Sequence, residues 1–375
     1  MDLIRKSIKQ GFCYDDVLLI PQRSSVNSRA DIDLSVDLGK EVKLDIPVIS
    51  ANMKNVTGPT MAKAIASMGG LGLLHRFCSV DEQIDMFKES SGNYNTVGCS
   101  IGVHDNDFER AKKLIDVGCN IICIDVAHGH SEICLNMTEK LADYIQKDFP
   151  DVLLIAGNVA TAFGANDLYQ AGADVVKCGI GSGSLCSTRL EAGAGCPQLT
   201  ALENCFNASR PTIQYDTTVH INSTEIPANE QEIKMGTFEG WDLLAPRRFK
   251  IIADGGIRRA GDCVKALVFA DAVMLGNVLA GTDEAPGNIV TINGMKYKEY
   301  EGSSTHKSKH IEGVKGLVGL KGPVSLVVEK LLEGIRSGCS YQGAENLEEL
   351  KECAEFIQIS NAGLKESHPH DIYLK

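Results

Sequence analysis

The chain has 375 residues, 43% of them hydrophobic and 23% charged, enough apolar content for one large barrel or two ordinary domains and too much for a disordered chain. Lysine and arginine number 37 against 49 aspartates and glutamates, and the resulting net charge of −12 argues against broad contact with nucleic acid. The 13 cysteines form no C-x-x-C pair, Met1–Gln10 is charged without an apolar run, and no stretch approaches the roughly 20 apolar residues of a membrane span, so a reducing cytoplasm is the expected setting.

Short runs rich in Val and Ile alternate along the chain with amphipathic stretches. The predicted strands are 46–53, 71–75, 97–103, 121–128, 152–160, 174–180, 250–256 and 272–277. The predicted helices between them are 59–67, 80–89, 107–117, 131–148, 162–171, a segment beginning near Pro197, and 260–270. Eight β-α units of this length predict one (β/α)8 TIM barrel covering 1–375, and no G-x-G-x-x-G opens the first unit to support a dinucleotide-binding open sheet. Two segments break the pattern. Residues 207–248 exceed any ordinary helix-to-strand connection and read as an inserted arm. Because the arm leaves a helix and returns to a strand, it belongs on the barrel face opposite the site. Residues 300–321, with glycines, serines and mixed charge, read as a mobile active-site flap.

Polar and reactive residues recur at the C-terminal ends of the predicted strands: Asn52, His75 and Arg76, Asp125 and His128, Asn158, Cys186, Asp254 and Asn277. In a barrel those ends share one mouth. The most telling stretch is Gly179 to Arg189, G-I-G-S-G-S-L-C-S-T-R, which sets Cys186 on a glycine-rich loop after an apolar strand. Its glycines let backbone approach a phosphate or an ion closely, and Ser184 and the free amides are donors. A cysteine is more often a small buried hydrophobe, but Cys186 stands among Gly, Ser, Thr and Arg.

That loop, together with Tyr14-Asp-Asp-Val-Leu-Leu, Ile252-Ala-Asp-Gly-Gly-Ile and Leu279-Ala-Gly-Thr, resembles the IMP dehydrogenase and GMP reductase family over nearly the whole chain, the arm excepted. The resemblance implies a barrel, usually a homotetramer, that binds a purine monophosphate and a nicotinamide cofactor at its mouth. It further implies that Cys186 attacks purine C2 to form a thioimidate, with a potassium ion ordering the loop. Carried over residue by residue, Ser184, Asp254, Gly255, Gly256, Gly276, Asn277, Tyr300, Gly302, Ser303, Ser304 and Gly313 fall on substrate positions. Ser28, Arg29, Arg76, Asp125, Val126, Ala127, Asn158, Ile180 and Gly181 fall on cofactor positions. For potassium the matching positions are Gly181, Gly183, Cys186 and Arg189, with Glu366, Ser367 and His368 completing the site of the next subunit. Lys54 and Asn277 depart from the family's usual Asp and its usual Ser or Gly.

The two branches part after the covalent step. A dehydrogenase must hydrolyse the thioimidate, which in that branch uses an Arg-Tyr pair in the flap, whereas 300–321 has no arginine and no tyrosine besides Tyr300. The regulatory CBS pair that typical dehydrogenases insert after the second helix is also missing. A reductase expels ammonia from GMP and then accepts hydride from NADPH, and Thr188 with Glu312 can relay the proton the leaving group needs. On this reading the chain is an NADPH-dependent GMP reductase. The alternatives are an IMP dehydrogenase without CBS domains, favoured by Gly281-Thr-Asp-Glu-Ala-Pro-Gly and by the Glu366-Ser-His tail, and a non-catalytic purine-nucleotide-binding barrel acting as an assembly partner.

Overall fold

The computed structural model describes residues 8–220, 232–241, 247–302 and 314–369. Eight parallel strands, β1 (Val48–Ser50), β2 (Leu71–Leu74), β3 (Val97–Ile101), β4 (Ile121–Asp125), β5 (Leu153–Val159), β6 (Val175–Cys178), β7 (Lys250–Asp254) and β8 (Ala272–Leu275), form a closed barrel. Neighbours in sequence are neighbours in space, and β8 closes on β1 through Val273 with Val48 and Leu275 with Ser50. Each strand is covered on both faces, so its residues are apolar in runs rather than in alternation; all seven residues of β5 are buried.

The outer ring comprises α1 (Pro59–Ser67), α2 (Val80–Ser91), α3 (Asp105–Asp116), α4 (Glu132–Asp148), α5 (Ala162–Gln170), α6 (Gln198–Ser209), α7 (Ala260–Leu267) and α8 (Val324–Gln342). Local chemistry fixes their starts. Pro59 opens α1, Ser79 and Glu82 form a reciprocal capping box on α2, and the Thr161 hydroxyl accepts from the Gly164 amide on α5. The (β/α)8 expectation therefore holds, with all eight strands in their predicted places. The predicted strands ran up to three residues too far at their C-terminal ends. There the strand pairing stops, and the polar residues that come next, with Asn52 and His75 still buried, belong to the loops of the mouth.

The inserted arm is an antiparallel hairpin, Thr212–His220 with Glu232–Trp241. Residues 207–209, expected in the arm, complete α6 instead. The Arg248 amide donates to the Ser209 carbonyl at 2.6 Å, so the arm is rooted between the end of α6 and the start of β7, on the side away from the mouth. Of the expected flap, 300–321, the structure describes the two ends. Its ends are strands of a three-stranded antiparallel sheet, Ile289–Ile292, Met295–Glu301 and Lys315–Gly319, whose first two strands turn at Asn293-Gly294 with φ of +50° and +78°. An Asn-Gly pair between alternating residues is the favoured sequence for such a turn, and that signal was available. Of the flap's expected site residues, Ser303, Ser304, Glu312 and Gly313 lie outside the described residues. Near the chain ends, Val17–Leu19 pairs with Phe356–Gln358 beside a helix at Asn361–Glu366.

Candidate active site

The mouth is an open cleft whose floor is a buried charge cluster and whose rim is the cysteine loop. Lys177, third residue of β6, points into the barrel and is 1% exposed. Its ammonium donates to Asp125 Oδ1 at the end of β4 (2.8 Å), to Asp254 Oδ2 at the end of β7 (2.8 Å) and to Asn158 Oδ1 on β5. Asn158 Nδ2 in turn donates to Asp254 Oδ2 and to the Gly179 carbonyl, both at 2.8 Å. Burial alone would depress the Lys177 pKa, but Asp125 and Asp254 outweigh it and hold the ammonium above the usual lysine value. Burial likewise would raise Asp125, and Lys177 reverses it, so the Asp125 carboxyl titrates below its ordinary range.

The loop grows from this floor. Gly179 has φ +145°, and a Cβ there would fall 2.0 Å from the Asp254 carbonyl oxygen, so only glycine lets the chain leave β6 this close to β7. Gly255, at φ +98°, faces Ser182 Oγ, 2.4 Å from where a Cβ would stand. The Ser182 hydroxyl donates to the Asp254 carbonyl (3.3 Å), and Gln198 at the head of α6 donates to the Cys178 carbonyl (3.0 Å). At the rim Cys186 is exposed. Its amide donates to the Gly183 carbonyl and its thiol to Thr188 Oγ1, each at 3.1 Å. Arg189 packs against Gly181 and Gly195 and donates to the Cys196 carbonyl, tying the loop across its base.

Tyr300, 3% exposed, brings its hydroxyl within 3.4 Å of Ser184 Oγ; burial raises its pKa, so it stays a neutral phenol. His75 is buried, and its Nδ1 accepts from the Phe77 amide at 3.2 Å. Burial first, then Lys54 and Arg110, push its pKa down to about 4, which leaves a neutral ring at physiological pH.

The cleft brings together most of the residues expected at the site. Arg76, Asp125, Val126, Ala127, Asn158, Ile180, Gly181, Gly183, Ser184, Cys186, Thr188, Asp254, Gly255, Tyr300 and Gly302 all line it. Several expected residues lie outside that lining. Gly276 stands behind Tyr300, where a Cβ would meet the phenol oxygen at 3.2 Å, and Asn277 opens a short helix, Asn277–Ala280, whose carbonyls accept from Lys321. Gly256 lies behind the lining, against Tyr14 and Gln198. Ser28 caps a 3-10 turn, and Arg29 lies over the Tyr341 ring, so within one chain neither reaches the cleft. Glu366, Ser367 and His368 are exposed at the end of the last helix, where His368 meets Arg259 at 3.3 Å. Sequence reading missed Lys177. Its signal was a lysine inside an apolar strand, a placement that a fold tolerates only with charged partners.

Fold and mouth together define a TIM-barrel enzyme with a thiol on its rim. The IMP dehydrogenase / GMP reductase domain model matches residues 11–220 and 239–370, and the chain belongs to that family, whose two named activities are both oxidoreductases. Its relatives include inosine-5′-monophosphate dehydrogenase of Bacillus subtilis, 32% identical with 98% of this chain and 97% of the relative covered, and GMP reductase of Leishmania donovani, 30% identical with 98% of each covered. A solved GMP reductase from Trypanosoma brucei, in complex with guanosine 5′-monophosphate, superposes with a TM-score of 0.82 at 29% identity, covering 98% of this chain and 99% of that one. The alignments run over 514 and 518 positions against 375 residues here, for the dehydrogenase and the reductase alike. A missing insertion therefore does not separate the two branches and lends no weight to the reductase.

Proposed function

We propose that the protein is a GMP reductase that deaminates GMP to IMP and ammonia at the expense of NADPH. The observation that carries this reading is the thiol of Cys186 bonded to Thr188 Oγ1 on an open loop, beside a flap sequence with no arginine to activate water. The Asp254 carboxylate accepts from the ribose hydroxyls, and the amides after β7 and β8 donate to the phosphate, the place where barrels of this kind hold one. The Cys186 sulfur bonds to purine C2, and the amine leaves as ammonia after taking a proton relayed by the Thr188 hydroxyl from Glu312.

The part of the cleft lined by Arg76, Asp125 and Asn158 suits a nicotinamide cofactor. Arg76 Nε is buried there without a hydrogen-bond partner among the described residues, a donor available to an amide or phosphate oxygen. When bound, NADPH supplies the hydride that replaces the sulfur at C2. This chain's residues hold the two reactants face to face and keep Cys186 between them. The carbonyls of Gly181, Gly183 and Cys186 are hard oxygen donors of the kind a potassium ion takes, and assembly as a cytoplasmic homotetramer, with Glu366 to His368 of a neighbour at that ion, belongs to the same reading.

The dehydrogenase direction is the second reading, favoured by relatives of that name at 32% identity. One assay separates them. Incubation with GMP and NADPH should oxidise the cofactor, and incubation with IMP and NAD should leave it unreduced. Reduction of NAD with IMP, alongside silence with GMP, overturns the proposal, and tight GMP binding with silence in both supports a binding protein.

A further inference from the structure

Lys177 does more than neutralise a carboxylate. On the reading above its two anionic partners serve different ligands, Asp254 the nucleotide and Asp125 the cofactor, and both line the one cleft. Asn158 links the ammonium to Asp254, accepting from Lys177 while donating to Asp254 and to the Gly179 carbonyl at the root of the cysteine loop, and Lys177 alone reaches Asp125 as well. The ammonium is buried and its bonds to the two part-exposed carboxylates are short, so neither carboxylate can move away without leaving the buried charge short of a partner. We propose that Lys177 is the positioning residue that couples the two ligand positions, so that ligand binding at Asp254 organises Asp125 and Asn158 for the second ligand, and the reverse. This rests on Asp254 being the ribose contact of the reading above.

The other titratable groups facing the cluster are Arg76 beside Asp125, Cys123 beneath both carboxylates, and Cys178, Tyr14 and Tyr300 near Asp254. Burial pushes both thiols and both phenols up, so they are neutral, and Arg76 faces only the cofactor side. Lys177 is therefore the cation that faces both carboxylates at once, and its charge holds Asp125 below the ordinary carboxylate range. Without it, two carboxylates face each other across one floor with no cation between them, and the pair takes up a proton as pH falls. A proton on that pair weakens ribose recognition, so the affinity lost on acidification reports the charge role directly.

The experiment uses the full-length protein and calorimetric binding of GMP with and without NADP, a pair that does not turn over. In the wild type, GMP affinity is expected to be flat from about pH 6 to 8 and to change at least about fivefold when NADP saturates the site. Lys177→Met should bind GMP progressively more weakly as pH falls, by up to about tenfold per unit, and Lys177→Arg should restore the flat profile. A flat profile in a folded Lys177→Met overturns the charge role. If Lys177→Met does not fold by circular dichroism, Lys177→Met with Asp125→Asn removes opposite charges together and serves in its place. That double variant should bind GMP with no response to NADP. A response equal to that of the wild type, or none in the wild type itself, overturns the coupling. Asp254→Ala is the control: wild-type GMP affinity there refutes the ribose contact rather than the coupling.

Discussion

Replacing Cys186 by alanine removes a side chain that is exposed and that makes one hydrogen bond, to Thr188 Oγ1 at 3.1 Å. No packed volume is lost, so unfolding free energy should change by no more than about 0.5 kcal/mol, the usual range for a surface substitution. The nucleotide is held by other groups, Asp254 and the loop amides, so GMP affinity should stay within about tenfold, or 1.4 kcal/mol. Turnover, in contrast, should fall by at least about 10⁴-fold, because a nucleophile acts as a unit with the groups that serve it. The structure also says which sulfur a mass spectrum of the working enzyme should find modified. Burial pushes Cys123 and Cys339 up to about 12 and Cys134 up to about 11, which leaves them inert thiols. Cys13 is exposed but lies outside the cleft, so Cys13→Ala is the matched control and should keep full activity. An active Cys186→Ala, or a nucleotide adduct on any other cysteine, would refute the covalent reading.

Three further outcomes rest on particular contacts. Gly179→Ala places a methyl 2.0 Å from the Asp254 carbonyl, and the resulting shift should cost about 1–3 kcal/mol in urea unfolding and weaken GMP binding; a wild-type titration would show that the loop root tolerates a side chain. Glu312→Gln should slow ammonia release by roughly 100-fold while sparing hydride exchange between bound IMP and NADP, and equal loss of both rates would move the proton source elsewhere. Asp271 is fully buried, and although burial raises its pKa, Lys351 (3.0 Å) and Arg247 (2.5 Å) hold it far below the ordinary carboxylate range. Its folded-state pKa is depressed, so its stabilisation is complete above about pH 4 and is lost as pH falls below that. Asp271→Asn should cost about 3 kcal/mol at pH 7 by leaving the buried Arg247 and Lys351 with only the exposed Glu348 as a shared anionic partner, with the gap to wild type narrowing in acid. A gap that stays constant with pH would place the cost in packing.

The barrel was legible because parallel strands and their covering helices write two different periods into the chain, and eight alternations leave few architectures. The strand ends were less legible. Asn52, His75 and Asn277 continue a run that still looks extended, and Asn52 and His75 stay buried, so only the three-dimensional pairing says where each strand stops. Cys186 and its glycines were readable because loop chemistry is local. Lys177 was not read, since its meaning depends on Asp125, Asn158 and Asp254, which lie far away in sequence and meet only when the barrel closes. The pairing of Val17–Leu19 with Phe356–Gln358 is unreadable for the same reason, as a three-residue strand carries no period of its own.

The seam between β8 and β1 has a consequence for how the chain is made. Val48 and Ser50 find Val273 and Leu275 only after more than two hundred further residues, the arm among them, have been synthesised. At ribosomal speeds that is an interval of on the order of ten seconds or more, during which β1 offers an open apolar edge. The arm sits between β6 and β7, ahead of both closing strands, and so lengthens that wait. Shortening it should therefore raise the yield of soluble protein during rapid expression even if it leaves the finished enzyme's chemistry untouched.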